Sequence, residues 1–274
     1  MNVLKGLLSI VWLAALAMSA AAQPYAPNAE GVTMGHWHLN SRDIEVNKKI
    51  FMAMGGVDGG NASPLQRVIF PGVMVILNIG AGSPPPTAGT DGSVVNHVGF
   101  VVPNVQQSVA KWKAAGVPVQ PGGNNRLDQA WVITPDGLRV EILEDKNQTM
   151  PIKSDHIHFF QPAAVIPESQ AWYVKMFGAK PGTRNNAPVD DLPGTQLRFN
   201  KIDALGAPTK GRILDHFGFD VLDLKATIAK LQAVGVKLDR PYTVNPQGVG
   251  LAFITDPWGA YIELNERPNP AYIN

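Results

Sequence analysis

The chain has 274 residues, 45% of them hydrophobic and 16% charged, a balance that excludes a disordered chain, a coiled coil and a solvated helical repeat. A net charge of +1 without a basic block excludes the electrostatic footprint of a nucleic-acid partner. The absence of cysteine removes disulfides, thiolate metal sites, iron–sulfur clusters and cysteine nucleophiles together, while 27 glycines and 23 prolines favour many short strands over long helices.

Residues 1–22 read as an export signal. Lys5 is followed by an apolar run from Leu7 to Met18, and Ala20-Ala21-Ala22 before Gln23 satisfies the small-residue cleavage rule. The run is short for a membrane span, and an uncleaved anchor is the alternative. The expectation is a periplasmic or secreted protein with no stable membrane association once the leader is removed.

The remainder repeats with a period near 120. Gly35-His36-Trp37-His38-Leu39 returns as Asp155-His156-Ile157-His158-Phe159. Asn96-His97-Val98-Gly99-Phe100 returns as Asp215-His216-Phe217-Gly218-Phe219. Thr134-Pro135-Asp136-Gly137 with Glu141 returns as Asp256-Pro257-Trp258-Gly259 with Glu263. A period this long means duplicated domains. The expected division is a first module over 32–145, a linker over 146–154 and a second module over 155–267.

Each module splits again, giving four β-α-β-β-β units that open near His36, His97, His156 and His216. Helical spacing predicts helices over Ser41–Met54, Pro103–Ala115, Pro167–Phe177 and Leu222–Val234, each followed by a glycine cap at Gly55, Gly116, Gly178 or Gly235. Strands are predicted over Val73–Ile79, Trp131–Thr134, Leu138–Leu143, Gln196–Ile202, Leu251–Thr255 and Ala260–Leu264. The turn-rich segments Gly80–Ser93 and Gly178–Pro193 read as long loops. The fold class is α+β.

All six histidines lie at the unit openings, four of them in His-x-His pairs whose members share a strand face. One glutamate follows in the last strand of each module. Two imidazoles and a carboxylate leave positions open on a six-coordinate ion, an arrangement suited to Fe(II) and usable by Mn, Zn or Ni. Grouped by position in the chain, the candidate triads are His156, His216 and Glu263, and His36, His97 and Glu141. The plainer alternative is that the histidines are hydrogen-bonded structural residues. His38 and His158 read first as partners behind the ligands, with alternative ligands and barrel filling as the other readings. Arg139 and Tyr261, each two residues before a glutamate, share its face, and Trp131 and Phe253 correspond across the copies as core or pocket wall. Arg198 is either a clamp for a substrate carboxylate or a surface strand residue. Phosphate loops and serine nucleophile elbows are absent.

The segments Asp155-His156-Ile157-His158, Leu214-Asp215-His216-Phe217-Gly218-Phe219 and Asp256-Pro257-Trp258-Gly259-Ala260-Tyr261-Ile262-Glu263 resemble the vicinal oxygen chelate superfamily, which contains glyoxalase I, extradiol dioxygenases and bleomycin-resistance proteins. The resemblance spans roughly 34–266. It implies two tandem modules of paired β-α-β-β-β units forming cupped half-barrels. A divalent metal would be held by His156, His216 and Glu263, with His36, His97 and Glu141 in the first copy. It also implies an enzyme of glyoxalase or dioxygenase type acting on a small oxygen-rich molecule chelated to the metal; a non-catalytic binding protein of bleomycin-resistance type is the alternative. The chain departs from the pattern where the fourth glyoxalase ligand belongs, since Arg198 and Ile76 stand there. It departs again where ring-cleaving enzymes place a tyrosine, since Phe253 stands there. The expected partner is a small-molecule substrate, and a homodimer is compatible with the sequence.

Overall fold

The structure, a computed structural model, describes residues 25–62, 65–78 and 85–268. The expected export signal at 1–22 and residues 79–84 of the first proline-rich loop lie outside the described residues. No helix among the described residues is long and apolar enough to cross a membrane.

The four units appear in chain order. The first has β1 Val32–Asn40, α1 Ile44–Met54, β2 Val57–Ala62, β3 Leu65–Phe70 and β4 Val73–Asn78. The second has β5 Val95–Val102, α2 Val105–Ala114, β6 Val119–Pro121, a 3-10 turn Gly123–Asn125, β7 Gln129–Ile133 and β8 Arg139–Glu144. The third has β9 Lys153–Gln161, α3 Ile166–Phe177, β10 Lys180–Arg184, β11 Ala187–Leu192 and β12 Thr195–Lys201. The fourth has β13 Leu214–Val221, α4 Leu224–Ala233, β14 Leu238–Val244, β15 Gly250–Thr255 and β16 Tyr261–Glu266.

Local chemistry sets the helix boundaries. Asp43, Asn104 and Asp223 each stay extended and accept the backbone N–H three residues on, so α1, α2 and α4 start just after them, two or three residues later than Ser41, Pro103 and Leu222. Helix α3 lacks such a side-chain cap and carries Pro167 in its first turn, where a missing N–H costs nothing. Gly55 and Gly178 end α1 and α3 in the left-handed conformation. The segment expected as a long loop over Gly178–Pro193 is instead the hairpin β10–β11, with Lys180 to Arg184 paired against Ala187 to Asp191. Asn185 and Asn186, both at positive φ, make the two-residue turn that their side chains tolerate. Strand β9 begins at Lys153, inside the expected linker.

The units pair across the repeat boundary. One sheet runs β14-β15-β16-β13-β1-β4-β3-β2 and joins the first unit to the fourth. The other runs β10-β11-β12-β9-β5-β8-β7-β6 and joins the second to the third. In each, the two opening strands meet antiparallel at the centre, β1 with β13 and β5 with β9. Their histidines alternate with apolar residues of the opposite face, and those apolar faces pack on one another. Trp37 lies 5.0 Å from Phe100, Phe70 lies 4.5 Å from Phe100, and Phe159 lies 6.1 Å from Phe217. The result is one continuous core with the histidine faces of the two sheets turned away from each other.

Phe100 is fully buried and meets Trp37 and Phe70 of the other sheet. Phe100→Ala is therefore expected to lower unfolding free energy by about 3–5 kcal/mol, read by denaturant titration. Asp190 in β11 is buried, and burial, partly offset by Gln170 and aided by Asp191, pushes its pKa up to about 7. The folded state thus binds this proton more tightly than the unfolded chain, so stability falls as pH rises from about 4 to 7. Asp190→Asn should raise Tm at pH 8 and leave it unchanged at pH 4, measured by thermal melts.

Candidate metal centres

The register across each sheet assembles the sites. In the first sheet His38 pairs with His216 on one side and Ile76 on the other, and Ile76 pairs with Arg67. One step along, His36 pairs with Gly218, Gly218 with Glu263, Glu263 with Phe253, and Phe253 with Arg240. In the second sheet the matching rows are Val189, Arg198, His158 and His97, then His156, Gly99, Glu141, Trp131 and Gln120.

The sequence-based triads are corrected by this pairing. His156 does not join His216 and Glu263, and His36 does not join His97 and Glu141. The structure brings together His36, His38, His216 and Glu263, and separately His97, His156, His158 and Glu141, with one potential ligand atom from each within 4.8 Å of the others in its group. The reason is the antiparallel contact of opening strands from different repeats, which places each first-strand histidine over a partner from the other half of the chain. Gly218 and Gly99 record that contact. The ring of His36 rests on the backbone of Gly218 and that of His156 on Gly99, where a Cβ would overlap the imidazole. Glycine is required there for close approach.

In the first centre the Nε2 atoms of His36 and His216 lie 3.1 and 2.8 Å from the same oxygen of Glu263. Asn265 donates to the other Glu263 oxygen at 2.8 Å. His216 Nδ1 donates to Asp215 at 2.6 Å, and Asp215 also accepts from Asn40 and from the Gly211 backbone. This fixes the tautomer of the neutral imidazole: its Nε2 lone pair faces a carboxylate oxygen. Two acceptors aimed at each other need a cation between them, a proton or a metal ion. Burial opposes charge on both groups. For Glu263 the neighbouring His36 and His216 overcome it and hold the carboxyl well below its ordinary range; for His216, Asp215 and Glu263 overcome it and raise the pKa. His38 stands 4.4 Å from His216, ring to ring, and burial, reinforced by His216 and His36, keeps it neutral. Its Nδ1 and that of His36 are buried without a hydrogen-bond partner. The two nitrogens and one carboxylate fit a borderline divalent ion, and the orphaned His38 nitrogen adds a further donor or proton acceptor.

The second centre has the same frame and a different filling. His156 and His97 Nε2 lie 3.1 and 3.4 Å from Glu141, and His156 Nδ1 meets Asp155 at 2.7 Å. Gln129 donates to Glu141, the counterpart of the Asn265 contact. Here His97 Nε2 is also engaged by His158 Nδ1 at 2.9 Å, and burial lowers the pKa of His97 to about 4 and of His158 to about 2. Arg198 takes the position of Ile76. It is buried, donates to Asp155 and Gln196, and places Nη1 4.0 Å from Glu141. A guanidinium already neutralises this carboxylate and repels a second cation. Arg198 is thus inside the site, with its hydrogen bonds directed to the protein. Arg139 stays near the mouth, 5.0 Å over the Trp131 ring and bonded to Asp91.

A cavity of about 570 Å³ opens over the first centre and is lined by Ile76, Phe253 and Tyr261 as well as the ligand set. Phe253 and Tyr261 stack at 5.4 Å, and burial raises the Tyr261 hydroxyl to about 12. Sequence reading missed Asp215, Asp155, Asn265, Gln129 and the two glycines as site residues. The signal was present in the motifs: an aspartate directly before His156 and His216, and a glycine two places after His97 and His216.

A model of the Glyoxalase/Bleomycin resistance protein/Dioxygenase superfamily matches residues 154–264. No curated protein matches the chain. Glyoxalase I from Zea mays superposes with a TM-score of 0.65 at 16% identity, covering 86% of this chain and 92% of that one. A protein of Bacillus subtilis subsp. subtilis str. 168, provisionally described as a dioxygenase, superposes with a TM-score of 0.62 at 14% identity, covering 91% of this chain and 87% of that one. At such identities the likeness is one of fold.

Gly218→Ala is expected to displace His36 and to lower divalent-metal affinity at the first centre by about 10–100-fold, as loss of a positioning contact does. Gly99→Ala, on the other sheet, should leave that affinity unchanged; isothermal titration of both variants checks the pair.

Proposed function

We propose that this chain, a member of the vicinal oxygen chelate superfamily through residues 154–264, is an exported divalent-metal enzyme acting on a small oxygen-rich organic molecule at the His36–His216–Glu263 centre. The observation that carries this reading is the approach of two histidine nitrogens to one buried carboxylate oxygen beneath an open cavity. A divalent ion bound there supplies Lewis acidity and open coordination positions for substrate oxygens.

The chain's own residues do the rest. Asp215 orients His216, and Asn265 orients Glu263. Phe253, Tyr261 and Ile76 exclude water from the floor of the cavity and leave the substrate's oxygens as the groups that face the polar end. His38 is neutral at physiological pH and offers an acceptor nitrogen beside the ligands, the one imidazole placed to take a substrate proton once His36 and His216 hold the ion. In this reading the second centre, with the Arg198 guanidinium already beside Glu141, serves the fold. The export assignment rests on the leader over 1–22 alone.

The alternative of a non-catalytic binding protein shares the cavity and differs in turnover. Elemental analysis of protein purified after loading with Fe(II), Mn, Zn or Ni should give one ion per chain. His216→Ala and Glu263→Gln should abolish loading, and His156→Ala should not. Protein that takes up none of these ions defeats the metal reading. His38→Ala protein that loads metal and retains full turnover removes His38 from the chemistry.

A further inference from the structure

The cavity over the first centre carries more positive charge than metal binding requires. Arg67, Lys210, Arg240 and Arg267 all line it. Arg267 is paired with Asp220 at 2.8 Å. The other three have no carboxylate partner among the described residues. Arg240 lies 4.9 Å over the ring of Phe253 and Lys210 lies 4.4 Å over that of Tyr261, so both cations are held against the aromatic wall with their charge available. The acids lining the cavity are Asp215 and Glu263, and both are engaged with histidines. The Tyr261 hydroxyl is buried without a hydrogen-bond partner.

The placement of the two arginines follows from the register. The row Arg67–Ile76–His38–His216 ends on β3, and the row His36–Gly218–Glu263–Phe253–Arg240 ends on β14. Strands β3 and β14 lie toward opposite margins of the cupped sheet, so a cation stands on each side of the centre. In the second sheet the same two row ends are Val189 and Gln120. The Arg67–Arg240 pair is therefore particular to the first sheet and not part of the repeated scaffold.

We propose that the cavity takes a small organic acid, whose vicinal oxygens face the His36–His216–Glu263 centre and whose carboxylate meets the cationic rim to which Arg67 and Arg240 contribute from its two sides. The inference rests on the metal reading and names the substrate class of that same site. An unpaired arginine beside an apolar wall binds a carboxylate in a bidentate, charge-assisted manner. The aromatic wall of Phe253 and Tyr261 suits a planar body between the two polar ends, and Tyr261 Oη supplies a donor to it. A neutral ligand of the same shape would leave the guanidinium groups unmatched.

The test uses the full mature chain with its metal content fixed by elemental analysis. Two probes of one shape, 3,4-dihydroxybenzoate and catechol, are titrated calorimetrically at constant ionic strength. The carboxylated probe is expected to bind at least about tenfold more tightly, with an advantage that shrinks as salt rises. In the Arg67→Gln/Arg240→Gln double variant that advantage should fall to within about twofold, with catechol affinity retained. Equal or tighter binding of catechol to metal-loaded protein overturns the proposal, as does binding of neither probe or an advantage that survives the double variant. Protein that loads no metal counts against the metal reading instead. The same probes on that protein still decide the rim: a preference for the carboxylate supports it, and equal affinities overturn it.

Discussion

The antiparallel contact between opening strands is the constraint on which the rest depends. β1 lies against β13 and β5 against β9, and in each pair an imidazole is laid over a glycine backbone. That contact decides which histidines share a metal position, because a strand brings its side chains only to the face and partner that its register allows. It also closes each eight-stranded sheet across the two halves of the sequence, so neither half completes a site by itself. The apolar residues between the histidines, Trp37 and Phe217 among them, face the other way and hold the sheets together. One alternating pattern thus builds the core on one side and the centres on the other.

The electrostatics of the first centre make sense as a cation-binding arrangement. A carboxylate buried beside two imidazoles has left water, and the desolvation is offset only when positive charge sits among them. Asp215 pins His216 so that the facing nitrogen is an acceptor, which turns the pair with Glu263 into a gap shaped for a cation. The second centre meets the same requirement from within the chain, through Arg198. Duplication supplied the frame twice, and one position beside it differs: Ile76 stands at the first centre and Arg198, 4.0 Å from Glu141, at the second.

The surroundings diverged in the same sense. An open cavity with an aromatic wall and an arginine at each end of its side-chain rows belongs to the first centre. The second centre has Trp131 on His97, Arg139 on Trp131, and Val189 and Gln120 at the row ends. At the first centre, ligand-facing charge and metal-accepting geometry coincide, which is what a substrate bridging the two would require.

Much of this was legible in the chain itself. The period near 120 and the Asp-Pro-x-Gly turn before Glu263 identified four units and their α+β class, and helical spacing with its caps placed the helices to within three residues of their ends. The histidines and glutamates were recognisable as candidate ligands because their residue types and strand faces are local properties. Three features were not legible. The turn-rich Gly178–Pro193 segment folds as a hairpin because two asparagines accept positive φ. Arg198 enters a site because β12 pairs beside β9. The grouping of the ligands followed from neither residue type nor chain position. Sequence alone determined the elements, the repeat and the donor set, since these depend on neighbours a few residues away. Only the tertiary structure decided that His36 joins His216 and Glu263, and that Arg67 and Arg240 flank them. Which strands lie side by side is set by packing between segments far apart in the chain, about 180 residues for β1 with β13 and about 60 for β5 with β9, and two equivalent copies present the same local pattern to either choice.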